Sequence, residues 1–206
     1  MVTKPVRKWL KVTRTLAKRV LKVVDAGLTE GVGEPVPGKM CVEAAVNYAM
    51  GLPHGDEPPC VMESARRLKI RINDQDTWES KTSRAKGLRR VAVAQLGSNT
   101  LSDVKFLTRL IPLARRLAKK DGSQSSKDAL AGFEQEIADI KADIKMALKG
   151  GDDFTEGGIA DAVDFFSVIL DRIGNEKELV RVADAVAKIL VQMGSPGAEF
   201  LDLTEE

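Results

Sequence analysis

The sequence predicts an all-α protein in which a basic, helical N-terminal part precedes an acidic C-terminal three-helix bundle. Apolar residues recur at intervals of three and four along most of the 206 residues, which is the period of amphipathic helices. Glycine and proline clusters separate these segments, and no strand-rich run lies between them. Residues 1–120 hold 24 lysines and arginines against 11 acidic residues, whereas residues 121–206 hold 8 against 19. The net charge of +2 therefore hides two halves of opposite charge.

Composition excludes several classes of protein. Hydrophobic residues make up 43% and charged residues 30%, the balance of a folded globular chain rather than a disordered one. No apolar run reaches the length that a transmembrane helix needs. Two cysteines are too few for a disulfide framework, and an aromatic content of 4% argues against base-stacking surfaces. We expect a cytoplasmic protein that uses no cofactor.

The first predicted helix covers residues 3–24, within an N-terminal segment 1–26. Its apolar residues fill one arc of the helix, its basic residues fill the opposite arc, and no acidic residue precedes Asp25. Thr3 is a candidate N-cap, and Pro5 fits the first turn. The pattern is compatible with a core helix whose solvated face is basic, with a polyanion-binding face, or with an interfacial membrane or targeting helix.

Glycines and prolines mark residues 27–39 as a linker before a second basic region, residues 40–121. This region begins with a short helix at 40–50 and continues with another at about 60–73. We expect the second of these helices to bury its apolar face and to point its basic residues outward. These basic residues are Arg66, Arg67, Lys69 and Arg71.

Two further helices complete the basic region. The first covers residues 81–96 and is broken by the residues that follow Leu96. The second begins near Thr100 with a capping-box-like sequence, and Pro112 should kink or divide it. The positive side chains in its last turns suit the helix dipole, but together with the basic residues of the preceding helices they could merge into one basic surface.

The residues most capable of chemistry lie in the segment after the linker. Cys41 is expected at a helix N-terminus, where the dipole lowers the pKa of a thiol. With His54 it could form a nucleophile and base, and Glu43 is a further catalytic candidate. A structural interpretation is also open, with both cysteines buried, Glu43 capping the helix and His54 in a turn. Alternatively, the segment could bind zinc through Cys41, His54, Asp56 and Cys60.

The same segment carries a motif, which reads Cys41-Val42-Glu43-Ala44-Ala45-Val46-Asn47-Tyr48, then Gly51-Leu52-Pro53-His54-Gly55-Asp56-Glu57-Pro58-Pro59-Cys60, then Arg71-Ile72-Asn73-Asp74. It resembles a motif of an uncharacterised family of small actinobacterial, other bacterial and bacteriophage proteins. In that family a Met-Glu-Ala-Val-x-Tyr helix precedes an Ala-Gly-Glu-x-x-Ser-Asp-His-Pro-x-Cys turn and a later Asn-Asp. The element Leu110-Ile111-Pro112 is similar to the family's Leu-Ile-Pro.

The match to this family is uneven. The family's histidine corresponds to Glu57 here and its serine to Gly55, whereas His54 occupies a variable position. The resemblance brings no activity with it and implies a bacterial or phage cytoplasmic protein. A compact polar turn docked on the preceding helix accounts for the motif structurally. The residues that match are Glu43, Ala44, Tyr48, Gly51, Asp56, Pro58 and Cys60.

A polar linker at residues 121–126 leads into the acidic bundle, residues 126–206. An apolar stripe from Leu130 to Ala147 defines its first helix, and Thr155 can cap the second. The third runs from about Glu176 and ends before Gly194 and Pro196. Short loops between antiparallel helices are typical of such a bundle.

The acidic residues of this half lie mainly between the apolar stripes, which indicates a solvated face. Asp152, Asp153 and Glu156 could bind a cation, but they lack the spacing of an EF-hand. The acidic bundle could pair with the basic half of the same chain, or with that of another copy.

The charge pattern favours a non-catalytic macromolecule-binding protein that binds a nucleic-acid backbone or an acidic protein surface, and that could self-associate. One alternative is a cysteine- or zinc-dependent enzyme centred on Cys41, His54 and Cys60. Another is a peripheral membrane protein anchored by residues 3–24. The expected polyanion-binding residues are Lys4, Arg7, Lys8, Lys11, Arg14, Lys18, Arg66, Arg67, Arg89, Arg90, Arg115 and Arg116.

Overall fold

The computed structural model describes residues 11–147 and 157–205, and over these residues it confirms the all-α prediction. In both ranges the only β-type pairing is an isolated antiparallel bridge between Gly33 and Met40. A 3-10 turn covers Ser98–Thr100, and a C-terminal 3-10 segment covers Pro196–Thr204. The α-helices are α1 (Arg14–Val24), α2 (Val42–Met50), α3 (Glu63–Asn73), α4 (Lys81–Ala94), α5 (Asp103–Asp121), α6 (Gln124–Ala147), α7 (Gly157–Leu170) and α8 (Glu176–Gln192).

Helix α1 is shorter than the sequence predicts. It begins at Arg14, because the side chain of Thr13 accepts a hydrogen bond from the backbone N–H of Leu16 and caps the helix there. Lys11 therefore precedes the helix rather than lying on it. The predicted cap at Thr3 and the basic residues Lys4, Arg7 and Lys8 lie outside the described residues.

Helices α2 and α3 follow the prediction closely, with one correction. The apolar face of α3 is buried as expected, from Ala65 to Ile72. Lys69, which we predicted to point outward, is fully buried. The prediction was wrong because the helix is covered on more than one side, by α2, α5, α7 and α8.

Helix α5 runs without interruption from Asp103 to Asp121, so Pro112 does not divide it. Its N-cap is Ser102, whose hydroxyl accepts from the N–H of Lys105, and not the predicted Thr100. The linker predicted at residues 121–126 is only a short turn in the structure. Gly122, at φ +75°, ends α5, and α6 begins two residues later.

The helices of the acidic half pack against different partners. α6 packs on α7, where Phe133 and Phe166 meet edge to face with ring centroids 5.4 Å apart, and it also contacts α5. α8 lies mainly along α4. The close approach of α4 and α8 depends on Gly87, because a β-carbon there would come within 2.5 Å of the Trp78 ring and 3.1 Å of Val180. The predicted Thr155 cap and the acidic group Asp152, Asp153 and Glu156 lie outside the described residues.

One hydrophobic core joins the two halves of the chain. It extends from Leu16 in α1 to Leu203 in the C-terminal 3-10 segment. That segment returns to α4, where the N–H of Gly197 donates to the carbonyl of Leu96 at 2.8 Å. A β-carbon at Gly197 would come within 2.0 Å of the Val93 carbonyl oxygen, so this contact requires glycine. The basic and acidic halves are thus packed into one another.

Candidate functional site

Cys41 lies at the N-terminus of α2, as predicted, but it is not an activated thiol. Its Sγ accepts a hydrogen bond from the N–H of Ala44 at 3.4 Å and caps the helix. Burial raises the pKa of Cys41 to about 11, and the hydrogen bond from Ala44 only partly opposes this. We expected the helix terminus to lower this pKa, and that expectation was wrong because loss of water outweighs the local dipole.

The other predicted ligands have separate partners. Cys60 is buried, and its Sγ lies 3.6 Å from the Sδ of Met50. His54 is exposed, and its Nε2 lies 2.9 Å from the backbone oxygen of Gly33. Over residues 11–147 and 157–205, no three histidine, cysteine or acidic side chains come close enough to share a metal ion. The zinc set of Cys41, His54, Asp56 and Cys60 is therefore not assembled in the described structure.

The residue of the motif with the most unusual environment is Glu43. It forms an ion pair with Lys69, and both side chains are fully excluded from solvent. Burial raises the pKa of Glu43 and lowers that of Lys69, while their mutual attraction opposes both shifts. Gln95, at the end of α4, lies beside the pair. Glu43 thus ties α2 to α3 and, being sealed from solvent, is out of reach of a substrate.

The remaining motif residues form the turn after α2. Gly51 ends the helix at φ +70°, and the Asn47 side chain donates to the Gly55 carbonyl at 2.7 Å. Pro58 is buried, whereas the Tyr48 side chain is 44% exposed. An open cleft of about 330 Å³ runs beside this turn, lined by residues that include His54, Asp56 and Glu57. This geometry is that of a polar turn docked on a helix.

Nine of the twelve predicted polyanion-binding residues lie in the described part of the chain, and six of them form intramolecular ion pairs. Lys11, Lys18 and Arg90 have no carboxylate within 4 Å there. The pairs are Arg14–Asp202, Arg66–Glu57, Arg67–Glu63, Arg89–Asp25, Arg115–Glu134 and Arg116–Glu178.

Pairing between the basic and acidic halves occurs within the chain, which was one of the two arrangements left open above. The pairs that cross from one half to the other are Arg14–Asp202, Arg71–Asp164, Arg115–Glu134, Arg116–Glu178 and Lys120–Glu178. Part of the charge separation seen in the sequence is therefore used internally, in ion pairs that link α5 and α3 to the C-terminal helices.

Glu178, in the first turn of α8, is the centre of a cationic cluster. Its side chain is only 3% exposed, and it accepts from Arg116 at 2.6 Å, Lys120 at 2.7 Å and Arg181 at 3.3 Å. These contacts, led by the hydrogen bond from Lys120, lower the pKa of Glu178 to about 2. One carboxylate faces three cations, so the cluster keeps an excess of positive charge.

The cluster continues along α5 as a row of exposed basic side chains, which we call the α5 ridge. At 100° per residue its members fall within an arc of about 100° and extend over roughly 22 Å. In the described residues Lys105, Arg109 and Lys119 have no carboxylate within 4 Å. The α5 ridge consists of Lys105, Arg109, Arg116, Lys119 and Lys120.

The sequence reasoning named Arg116 and the end of α5 but missed Lys105, Arg109 and Arg181. A helical projection of residues 103–121 would have placed the first two on the same face as Arg116. Arg181 was also within reach of sequence reasoning, because it lies three residues after Glu178 on the same helix. What the sequence does not show is that α5 brings Arg116 and Lys120 to the same carboxylate.

No known family model, curated protein or solved structure matches this chain. Over residues 11–147 and 157–205, no helix combines the length and the apolar character needed to cross a membrane.

Proposed function

We propose that this protein binds nucleic acid through the phosphate backbone, using the α5 ridge and the neighbouring Arg181. The observation that carries the proposal is the excess of positive charge around Glu178, where one buried carboxylate already has three basic partners. Because the acidic group of this surface is already paired, the remaining positive charge attracts an external anion.

The α5 ridge suits a phosphate chain in its spacing as well as its charge. Lys105 and Arg109 are four residues apart, and side chains at that spacing lie about 5–6 Å from one another. Arg116 follows on the same face two helical turns later, roughly 10 Å further along the axis. A nucleic acid presents its phosphates as a row of the same kind, and such contacts fix position without reading sequence.

Low aromatic content supports a backbone-directed mode. With aromatic residues at 4% of the chain, base stacking is a minor source of affinity. Within the described residues the exposed aromatic side chains, Tyr48 on α2 and Phe165 on α7, do not lie on the helix that carries the ridge. Binding should therefore depend strongly on salt and weakly on base sequence.

The test compares two matched pairs of surface cations. Lys105→Ala/Arg109→Ala removes two charges from the α5 ridge, and Lys18→Ala/Lys22→Ala removes two exposed charges from α1, at the same i, i+4 spacing. Affinity for a 20-base-pair DNA duplex is measured by fluorescence anisotropy from 50 to 200 mM salt. We expect the α5 variant to reduce the slope of log K against log salt by about 2, and the α1 variant to leave it nearly unchanged.

Four results would contradict the proposal. The wild-type protein could fail to bind the duplex at 50 mM salt, or both variants could retain the full slope. A loss of slope only in the α1 variant would indicate that the binding site lies on the basic face of α1, which was one of the interpretations of the sequence pattern. Binding of an acidic protein such as a poly-glutamate peptide, without binding of DNA, would indicate a protein partner instead.

A further inference from the structure

A small pocket opens where the α5 ridge ends. It has a volume of about 250 Å³ and lies between the last turn of α5, the loop after α7 and the first turn of α8. Leu117, Ile169 and Ile173 contribute apolar lining, and Lys120, Arg172 and Asn175 contribute polar lining. This volume is below the roughly 300–1,000 Å³ of sites that take drug-sized ligands, so it suits a small group.

The charges around this pocket favour an anion. Lys120 and Arg172 line it directly, and Arg116 and Arg181 adjoin it through their contacts with Glu178. Arg172 makes only a long hydrogen bond, 3.4 Å to the hydroxyl of Ser125, and has no carboxylate within 4 Å in the described residues. Its guanidinium therefore retains donors for a ligand.

Two carboxylates also line the pocket, and both are already engaged. Glu178 accepts from its three cations, which hold its pKa low. Asp121 accepts from the hydroxyl and the backbone N–H of Ser123 at the end of α5. The lining itself holds two cations and two carboxylates, and the net positive charge comes from Arg116 and Arg181, which lie beside the pocket against Glu178.

We propose that this pocket binds a phosphomonoester, such as the terminal 5′-phosphate of a nucleic acid whose backbone lies on the α5 ridge. Lys120 belongs both to the ridge and to the pocket, so a chain that follows the ridge reaches the pocket at its end. A terminal phosphate projects from its chain and carries more charge than a backbone phosphodiester, so a small cationic pocket favours it. The preference for a nucleic acid with a 5′-phosphate at its end rests on the proposed function, but binding of free phosphate to the pocket does not.

The first experiment therefore uses inorganic phosphate as the probe. Titration of the full chain is followed by the amide resonances of residues 172–178 in ¹H–¹⁵N spectra. We expect saturable shifts confined to the mouth of the pocket, lost in Arg172→Ala and kept in Arg19→Ala, which removes an exposed arginine from α1. Shifts that fail to saturate, or that survive in Arg172→Ala, would overturn the proposal that this pocket binds phosphate.

The second experiment uses two 20-base-pair duplexes that differ only in having a 5′-phosphate or a 5′-hydroxyl. We expect the phosphorylated duplex to bind roughly tenfold more tightly, the size of one hydrogen bond to a charged group. Arg172→Ala should abolish this preference while keeping the salt slope. Equal binding of the two ends would overturn the end preference and leave the proposed function standing. Saturable phosphate binding without any duplex binding would overturn the proposed function and leave the pocket standing.

Discussion

Glu43 and Lys69 form an ion pair in which neither side chain reaches solvent, and the pair joins the first turn of α2 to the middle of α3. Removal of water from two charges is costly, and their attraction offsets that cost only while both are present. The pair therefore holds α2 and α3 in one relative position, and we expect its loss to lower the stability of the whole protein.

We expect Lys69→Met to destabilise the protein by about 3–5 kcal/mol, because it leaves the Glu43 carboxyl group in the core without its charge partner. The double variant Glu43→Leu/Lys69→Met should lose less than the sum of the two single variants, since no lone charge remains. The free energy of unfolding is measured by urea titration followed by circular dichroism.

Arg67→Met is the control for this measurement, because it removes one partner of the half-exposed Arg67–Glu63 pair on the same helix. It should cost less than about 1 kcal/mol. A cost for Lys69→Met no larger than that of Arg67→Met would contradict the role assigned to the buried pair.

Glu178 should make the protein sensitive to acid. Its pKa is about 2 in the folded protein and 4.5 ordinarily, so between these values the unfolded chain binds more protons, and stability falls as the pH is lowered. Its basic partners are about half-exposed or more, and solvent screens them, so we expect roughly 1–2 kcal/mol to be lost between pH 5 and pH 2.

The measurement compares the wild-type protein with Glu178→Gln by urea unfolding at several pH values. The difference in unfolding free energy should be largest above pH 5 and should shrink toward pH 2, where the wild-type carboxylate becomes protonated. A difference that stays constant over this range would show that Glu178 acts through its shape rather than its charge.

The two cysteines should react slowly in the native state. Both are buried, and burial raises the pKa of each thiol, that of Cys41 to about 11. Since the thiolate is the reactive form, we expect a disulfide reagent at pH 7.5 to modify both residues at the rate of transient opening, and to modify them rapidly in 8 M urea. Fast modification of Cys41 in the native protein would instead favour the cysteine-dependent enzyme.

The sequence predicted the elements that depend on local pattern. The apolar spacing of α6 and α8, the glycine that ends α2 and the position of Cys41 at a helix terminus all follow from neighbouring residues, and all were found. Some boundaries were misplaced. The side chain of Thr13 caps α1 within a pattern that continues through it, and Ser102 rather than Thr100 caps α5.

The properties that depend on tertiary packing were not predictable in this way. Lys69 follows the pattern of an outward-facing residue, and only the helices packed around α3 place it in the core. Glu178 looks like an ordinary residue of a helical first turn, and its three cations come from α5 and from the next turn of α8. The candidate binding surface was therefore only partly visible, because the sequence shows where charges are but not which of them are neutralised.

The continuous core from Leu16 to Leu203 has a consequence for how the protein gains and loses its structure. Because α8 lies along α4 and the C-terminal 3-10 segment docks at Leu96, neither half can bury its apolar surface alone. The two halves should therefore melt in a single cooperative transition, and a cut in the turn between α5 and α6 should release two fragments that fold only when they are mixed.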